Sequence, residues 1–359
     1  MRIESLIDPL AGNAQLLAPL CIGLSGETVE VASNSPAVLE ALLNYLKGFI
    51  KSEQPGLPTK QLMIIEGSPP KLNIDLVDWP REAPKTARKE AYAVLSGGRV
   101  VKKIRTGLCF FTSEGRQLVV GACEENTNQI INFVGAIEMQ HWLQRDYQLC
   151  HGAGVVVQGR GLGIFARSGG GKSTLALHLL SEGAKFCSND RLLVKRSEAL
   201  SEMRGIPKWP RVNPGTLLHN ERLRPLLSRR RQQELERLTA QELWDLEEKY
   251  DVFVEELFGQ GRTQLVSSLD ALVILDWDQA SSASTHFELT SIDERPDLLA
   301  LITKNAGPLV GTAAPLTGPP NPDDYLPHLR GRPLLVASGK PDFPAAVQRC
   351  SRLAESIHV

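Results

Sequence analysis

The stretch "ARSGGGKSTLALHLL", Ala166 to Leu180, constrains this chain more than any other. Three consecutive glycines, Gly169, Gly170 and Gly171, free the backbone to turn its N–H groups inward, where side chains would block a bound anion. Lys172, Ser173 and Thr174 follow, and then a run of apolar residues at helical spacing. An apolar strand-like run, "GLGIFA", comes before. Strand, glycine loop and helix in that order form the unit from which phosphate-binding-loop (P-loop) folds are built. The helix offers its positive end to an anion, Lys172 adds a point charge and Ser173 offers a hydroxyl to Mg²⁺. The motif lacks one residue, because Ala166 stands where its first glycine belongs. The loop predicts nucleotide binding through Ser168, Gly169, Gly170, Gly171, Lys172, Ser173 and Thr174, with ATP and Mg²⁺ as cofactors.

At 359 residues the chain is long enough for a substantial domain and a smaller one. The first part reads as a small α/β domain over residues 1–127. "ETVEVAS" alternates like a strand, and "SPAVLEALLNYLKGFI" has a Ser cap, a first-turn Pro and helical spacing. "LMIIEG", "LNIDLVDW", "GLCFFTS" and "RQLVVGA" read as strands. "NQIINFVGAIEMQHWLQRDY" reads as a helix opening a second domain over 128–359. There "AGVVVQ", "GLGIFA", "LDALVILDWD" and "GRPLLVAS" read as strands, as does "AKFCSNDRLLVKR". The charged stretch from Leu226 to Leu257 reads as a surface helix, and Gly307 to Asp324 as a long Pro- and Gly-rich loop.

Forty Lys and Arg against forty-one Asp and Glu give a net charge of -1, with no basic block that would make a nucleic-acid footprint. No run approaches the ~18 apolar residues that span a bilayer, and Glu4 and Asp8 precede any apolar stretch. The six cysteines are scattered without metal or redox spacing and read as reduced core thiols. Together these features predict a cytoplasmic protein with no membrane or nucleic-acid partner.

The flanks of the loop are more specific. "HGAGVVVQGRGLGIFARSGGGKSTLALHLLSEGAKFCSNDRLLV" resembles the nucleotide core of the HPr kinase/phosphorylase family, with unbroken spacing from His151 through Lys172 to Asp190. "SEMRGI" looks like that family's Glu-x-Arg-Gly segment. "NTNQIINFV", "SNDRLLV" and "IPKWPRVNPGT" are similar to the HPr-kinase-related kinases, type B. The resemblance implies an HPr kinase / phosphoenolpyruvate carboxykinase-like P-loop domain behind a smaller N-terminal α/β domain that does not look like that of HPr kinases. It implies phosphotransferase activity with His151, Lys172, Asp190, Glu202 and Arg204 in catalysis. Ser173 and Asp190 would hold Mg²⁺, and Asn189 would lie near the substrate; separately, Arg204, Arg211 and Asn213 lie in a Pro-punctuated loop, a composition that fixes the backbone and presents side chains outward, which makes them candidate substrate contacts. HPr kinases assemble as hexamers, so the resemblance also permits a homo-oligomer.

Two departures bear on chemistry. Asn189 replaces the first of two family aspartates, the usual proton acceptor, and an amide cannot take that proton. Thr174 replaces the acidic residue that usually follows the P-loop serine. Glu202, His151 and Asp190 are the candidates for the missing base. Asp276 ends an apolar strand as a second-choice metal carboxylate, and Arg330 and Arg332 flank the Pro-rich loop as candidate phosphate contacts. The expected activity is transfer of the ATP γ-phosphate to a hydroxyl of an unidentified small molecule or protein. Serine phosphorylation of HPr, and nucleotide sensing without transfer, stay open as alternatives.

Overall fold

The computed structural model describes residues 1–24, 28–50, 60–80, 87–196, 201–246, 248–311 and 320–357. The chain forms two compact α/β units: Met1–Arg145 with Asn305–Pro319, and Asp146–Lys304 with Pro320–Val359.

The first unit is built on an eight-stranded sheet. Its order is Leu20–Gly23, Thr28–Ser33, Lys60–Glu66, Arg116–Gly121, Cys109–Ser113, Gly98–Lys103, Glu90–Leu95 and Val77–Asp78. Strand alternation sends neighbouring side chains to opposite faces. Phe111, Leu118 and Val120 meet Ile3 and, from the helix Glu4–Gly12 that follows it, Ile7, whereas Phe110 meets Phe133 of helix Thr127–Leu143, ring centroids 5.0 Å apart. The expected domain break at 127/128 falls at the start of this helix, and the packing of Phe133 explains why the helix goes with the first unit. Helix Pro36–Leu46 begins as its sequence suggests: Pro36 sits in its first turn and the Ser35 hydroxyl accepts from Val38 N–H at 3.2 Å. In "LNIDLVDW", Leu72, Ile74 and Leu76 pack on the core, but ladder pairing covers only Val77–Asp78.

A buried guanidinium marks this unit. Arg99 is 1% exposed, and its guanidinium donates to the carbonyls of Pro308 at 2.7 Å and Val310 at 3.3 Å. These acceptors come from the short return segment, far along the chain.

In the second unit a six-stranded sheet runs Lys185–Ser188, Gly152–Val157, Arg160–Ala166, Ala271–Trp277, Pro333–Gly339 and His286–Ser291. Its three central strands from Arg160–Ala166 to Pro333–Gly339 are parallel. A four-stranded antiparallel sheet, Val266–Ser268, Ser201–Arg204, Leu192–Arg196 and Gln148–Cys150, packs on one face. Phe165, Leu272, Ile274 and Val336 of the first sheet share a core with Cys150, Leu192, Val194 and Met203 of the second. Helices Lys172–Ser181 and Phe343–Ser356 cover the other face.

The alternation in "GRGLGIFA" now has a cause. Leu162 and Ile164 face the helices, while Gly161 and Gly163 let the second sheet approach. A Cβ on Gly161 would lie 1.7 Å from the carbonyl oxygen of Ser268. Gly161→Ala is therefore expected to force the sheets apart and lower stability by about 3 kcal/mol or more, read as a drop in urea midpoint.

The charged stretch is three short helices rather than one: Arg229–Leu235, Ala240–Asp245 and Val254–Phe258. Ser228 caps the first, and Thr239 with Glu242 forms a capping box on the second, a local signal for restarting there; the third begins at Phe253 without a side-chain cap. Of the expected loop from Gly307 to Asp324, residues 312–319 lie outside the described residues, and Pro322–Asp324 forms a 3-10 turn. Five cysteines are buried, and Cys21, expected in a core, is exposed. No described helix is long and apolar enough to cross a membrane.

Candidate active site

The loop after strand Arg160–Ala166 and the first turn of helix Lys172–Ser181 form one side of a cavity of about 360 Å³. Gly169 and Gly171 have φ of 78° and 89°, a region that side chains disfavour. Gly171 has a second reason to be glycine, since a Cβ there would meet the Phe343 ring at 2.8 Å. Trp277 braces the loop by donating Nε1–H to the Gly170 carbonyl at 2.9 Å. The absent first glycine is explained as well. Ala166 still belongs to the strand, paired with Leu275, so its backbone needs no glycine.

Lys172 is buried, and its ammonium donates to the carbonyls of Ala166 at 2.9 Å and Arg167 at 3.0 Å. Burial, with Lys304 adding repulsion against the pull of Asp190, lowers its pKa to about 8. The first N–H groups of a helix lack intrahelical acceptors, so this turn brings unpaired donors and a cation to the cavity. Ser173 donates its hydroxyl hydrogen to Asn189 Oδ1 at 2.6 Å, and Thr174 shares a hydrogen bond with Thr216 at 2.7 Å. Asn189 thus orients the P-loop serine.

Asp190 faces the loop from the turn after strand Lys185–Ser188. Its φ of 68° is left-handed, which Asp tolerates better than most side chains. His151 Nε2 lies 3.4 Å from its Oδ1, and the Lys304 ammonium donates to the same oxygen at 2.9 Å. Burial pushes this carboxyl up, but the hydrogen bond from His151 and the charge and hydrogen bond of Lys304 more than offset it and hold it well below its usual range. His151 is pulled the other way. Burial lowers its pKa, reinforced by Lys172 and Lys304 and opposed by Asp190, so the ring is neutral near pH 7. Donation from Nε2 to Asp190 leaves Nδ1 as the basic nitrogen.

The opposite wall comes from a Pro-punctuated loop. Lys208, Trp209, Arg211, Val212, Asn213 and Thr216 line it, joined by Lys249. Trp209 anchors the wall in the core beside Phe186 and Phe253. Strands Arg211–Val212 and Tyr250–Asp251 pair, with Arg211 Nε 3.1 Å from Asp251 Oδ1.

His151, Asn189, Asp190, Arg211 and Asn213 therefore line one cavity with Ser168–Thr174. Glu202 and Arg204, expected in catalysis, are not among its lining residues. They share one face of strand Ser201–Arg204, where Arg204 Nη2 donates to Glu202 Oε1 at 2.9 Å and Tyr147 donates to the same oxygen at 2.5 Å. Asp276 lies 3.7 Å from exposed Arg167, Arg330 donates to Asp293, and Arg332 donates to Ser201 Oγ. None of these three lines the cavity. Sequence reading missed Lys208, Lys249 and Lys304. Lys208 had a local signal, being bracketed by Pro207 and Pro210 beside an anchoring Trp. Lys304 had none, since 114 residues separate it from Asp190.

No protein-family model matches the chain, and no curated protein matches it. Among solved structures it is similar to the HPr(Ser) kinase/phosphatase from Coxiella burnetii, at 12% sequence identity over 58% of this chain and 99% of that one, with a TM-score of 0.29. The functional reading rests on the site itself.

Proposed function

We propose that this protein is an ATP-dependent phosphotransferase that moves the γ-phosphoryl group to an acceptor hydroxyl. One observation carries the reading: a glycine loop with its lysine and serine opens on the same cavity as a carboxylate, Asp190, held ionised by His151 and Lys304. Phosphoryl transfer needs this combination of anion cradle, metal carboxylate and fixed cations.

The residues fit the nucleotide and its metal. Basic side chains outnumber carboxylates among the described lining residues, as a polyphosphate requires. Among the described residues no group of three or more His, Cys, Asp or Glu is placed to hold a metal alone. Mg²⁺ needs no such cage, because it takes most of its oxygens from phosphates and water. Ser173 and Asp190 would hold it, and when bound it supplies charge neutralisation at the phosphates.

Lys172 exchanges the carbonyls of Ala166 and Arg167 for phosphate oxygens, and Asn189 keeps the Ser173 hydroxyl aimed. His151 takes the acceptor proton. It is neutral, lines the cavity and has Nε2 oriented by Asp190, whereas the carboxylate of Glu202 is engaged by Tyr147 and Arg204 elsewhere. His151→Ala is accordingly expected to lower turnover by ~10²–10⁴-fold, and Glu202→Gln to leave it near native, in steady-state assays at saturating ATP. The reverse order would move the base to the four-stranded sheet.

Affinity for nucleotide should depend on pH. In the unbound protein Lys172 loses its proton as pH rises through about 8. A polyphosphate prefers the charged ammonium, so binding is full below that pH and weakens above it, with proton uptake on binding. Calorimetry in buffers of different ionisation enthalpy measures that uptake.

The acceptor is tested by incubating the protein with γ-labelled ATP, Mg²⁺ and an extract of its source cells. Label in a carrier protein, in another protein or in a small molecule separates the acceptors. Nucleotide binding with no label transferred identifies a sensor.

A further inference from the structure

Lys304 is held beside Asp190 by more than its own ion pair. It follows the 3-10 helix Pro296–Leu301, and each residue leading to it is tied to the chain that ends at His151. Ile302 is buried, and its carbonyl accepts from His151 N–H at 2.7 Å. Thr303 forms an antiparallel bridge with Cys150. Lys304 N–H donates to the Tyr325 hydroxyl oxygen at 3.3 Å, and that hydroxyl donates to the Leu149 carbonyl at 2.8 Å. Tyr325 is itself buried, so the backbone of Lys304 is fixed along strand Gln148–Cys150.

The ammonium of Lys304 donates to Asp190 Oδ1 at 2.9 Å, and His151 Nε2 approaches the same oxygen at 3.4 Å. No described residue hydrogen-bonds to Asp190 Oδ2. The Lys304 side chain is 20% exposed and that of Asp190 46%, so the pair stands at the cavity with its ammonium half-buried. This arrangement leaves the carboxylate an oxygen for a metal but little of its charge. Asp190 is also the only carboxylate among the described residues that line the cavity, and Lys172 lines it as a second cation. A divalent ion arriving alone therefore meets one carboxylate that is already neutralised. Repulsion from a fixed ammonium one carboxylate away weakens its binding by about tenfold or more even at the dielectric of water, and half-burial reduces screening further. The phosphates of a nucleotide bring several negative charges and reverse that balance.

Resting on the phosphotransferase reading, we infer that Lys304 is a resident counterion that makes metal binding at Asp190 depend on nucleotide. It keeps the carboxylate from holding a divalent cation alone, so metal and phosphates are bound together. Lys304 acts through Asp190 and needs no contact with the substrate. The coupling is reciprocal: whatever the nucleotide adds to metal affinity, the metal adds to nucleotide affinity.

The probe is Mn²⁺, read by electron paramagnetic resonance and titrated into the full chain with and without a non-hydrolysable ATP analogue. Native protein is expected to bind Mn²⁺ alone weakly, and about tenfold or more tightly once the analogue is bound. Lys304→Met should bind Mn²⁺ alone about tenfold or more tightly than native protein does, which shrinks the difference, and Lys304→Arg should stay close to native. Adding Asp190→Asn to Lys304→Met should remove the gain and so locate it at this carboxylate. If Lys304→Met fails to fold, Lys304→Gln carries the same expectation, since its amide still donates to Asp190 Oδ1. A folded variant lacking the charge that binds Mn²⁺ alone no better than native protein would overturn the inference. So would native protein that binds Mn²⁺ equally well with and without the analogue. With analogue binding intact, either result leaves the phosphotransferase reading standing. Failure of native protein to bind the analogue, with or without Mn²⁺, would overturn both.

Discussion

Lys172→Ala is expected to lower phosphoryl transfer by ~10³-fold or more while leaving the protein folded. The lysine is the P-loop's fixed cation, and in the unbound protein its ammonium rests on the carbonyls of Ala166 and Arg167. Removing it frees those carbonyls but also removes a buried charge, so the two effects on stability oppose each other. Alanine keeps the first turn helical. The check is turnover of γ-labelled ATP beside thermal unfolding of the same sample. Native turnover in a folded variant would end the assignment of this loop to phosphate.

Asp190→Asn should cost transfer ~10²–10⁴-fold by removing the carboxylate that lines the cavity with the P-loop. The substitution is clean, because asparagine keeps the shape and accepts a positive φ as readily as aspartate. It also strips His151 of the one partner that raises its pKa, so the imidazole should titrate lower still, visible by NMR. Asp276→Asn is the control. That carboxylate lies 3.7 Å from exposed Arg167, outside the cavity, and its loss should change turnover little. A large effect of Asp276→Asn with a small one of Asp190→Asn would place the metal at the later strand.

The parts of this site legible in the sequence are those made by neighbours. Strand, glycine turn and helix follow from residues a few positions apart, and Lys172 reaches back only to Ala166. The resemblance placed His151, Asn189 and Asp190 near this loop by spacing alone, and they line the same cavity. Glu202 shows the limit. Strand alternation puts it on the face opposite Met203, but only the order of the four-stranded sheet decides that this face meets Tyr147 instead of the P-loop. Lys304 shows a different limit, because no local pattern predicts an ion pair that closes 114 residues later. The charged stretch after Leu226 misled for a third reason. Its leucine spacing suits one helix, yet Thr239 and Glu242 favour restarting over continuing.

The buried guanidinium of Arg99 has a consequence in time. Its carbonyl acceptors, Pro308 and Val310, are made long after it, once the whole run from Asp146 to Lys304 has been synthesised. At ordinary elongation rates the 209 residues from Arg99 to Pro308 take roughly ten to forty seconds. Until then Arg99 must keep its hydration, since a charge sealed in without acceptors costs several kcal/mol. On the ribosome, therefore, the first unit cannot close when Met1–Arg145 has emerged; its last buried bonds wait for a segment 209 residues beyond Arg99.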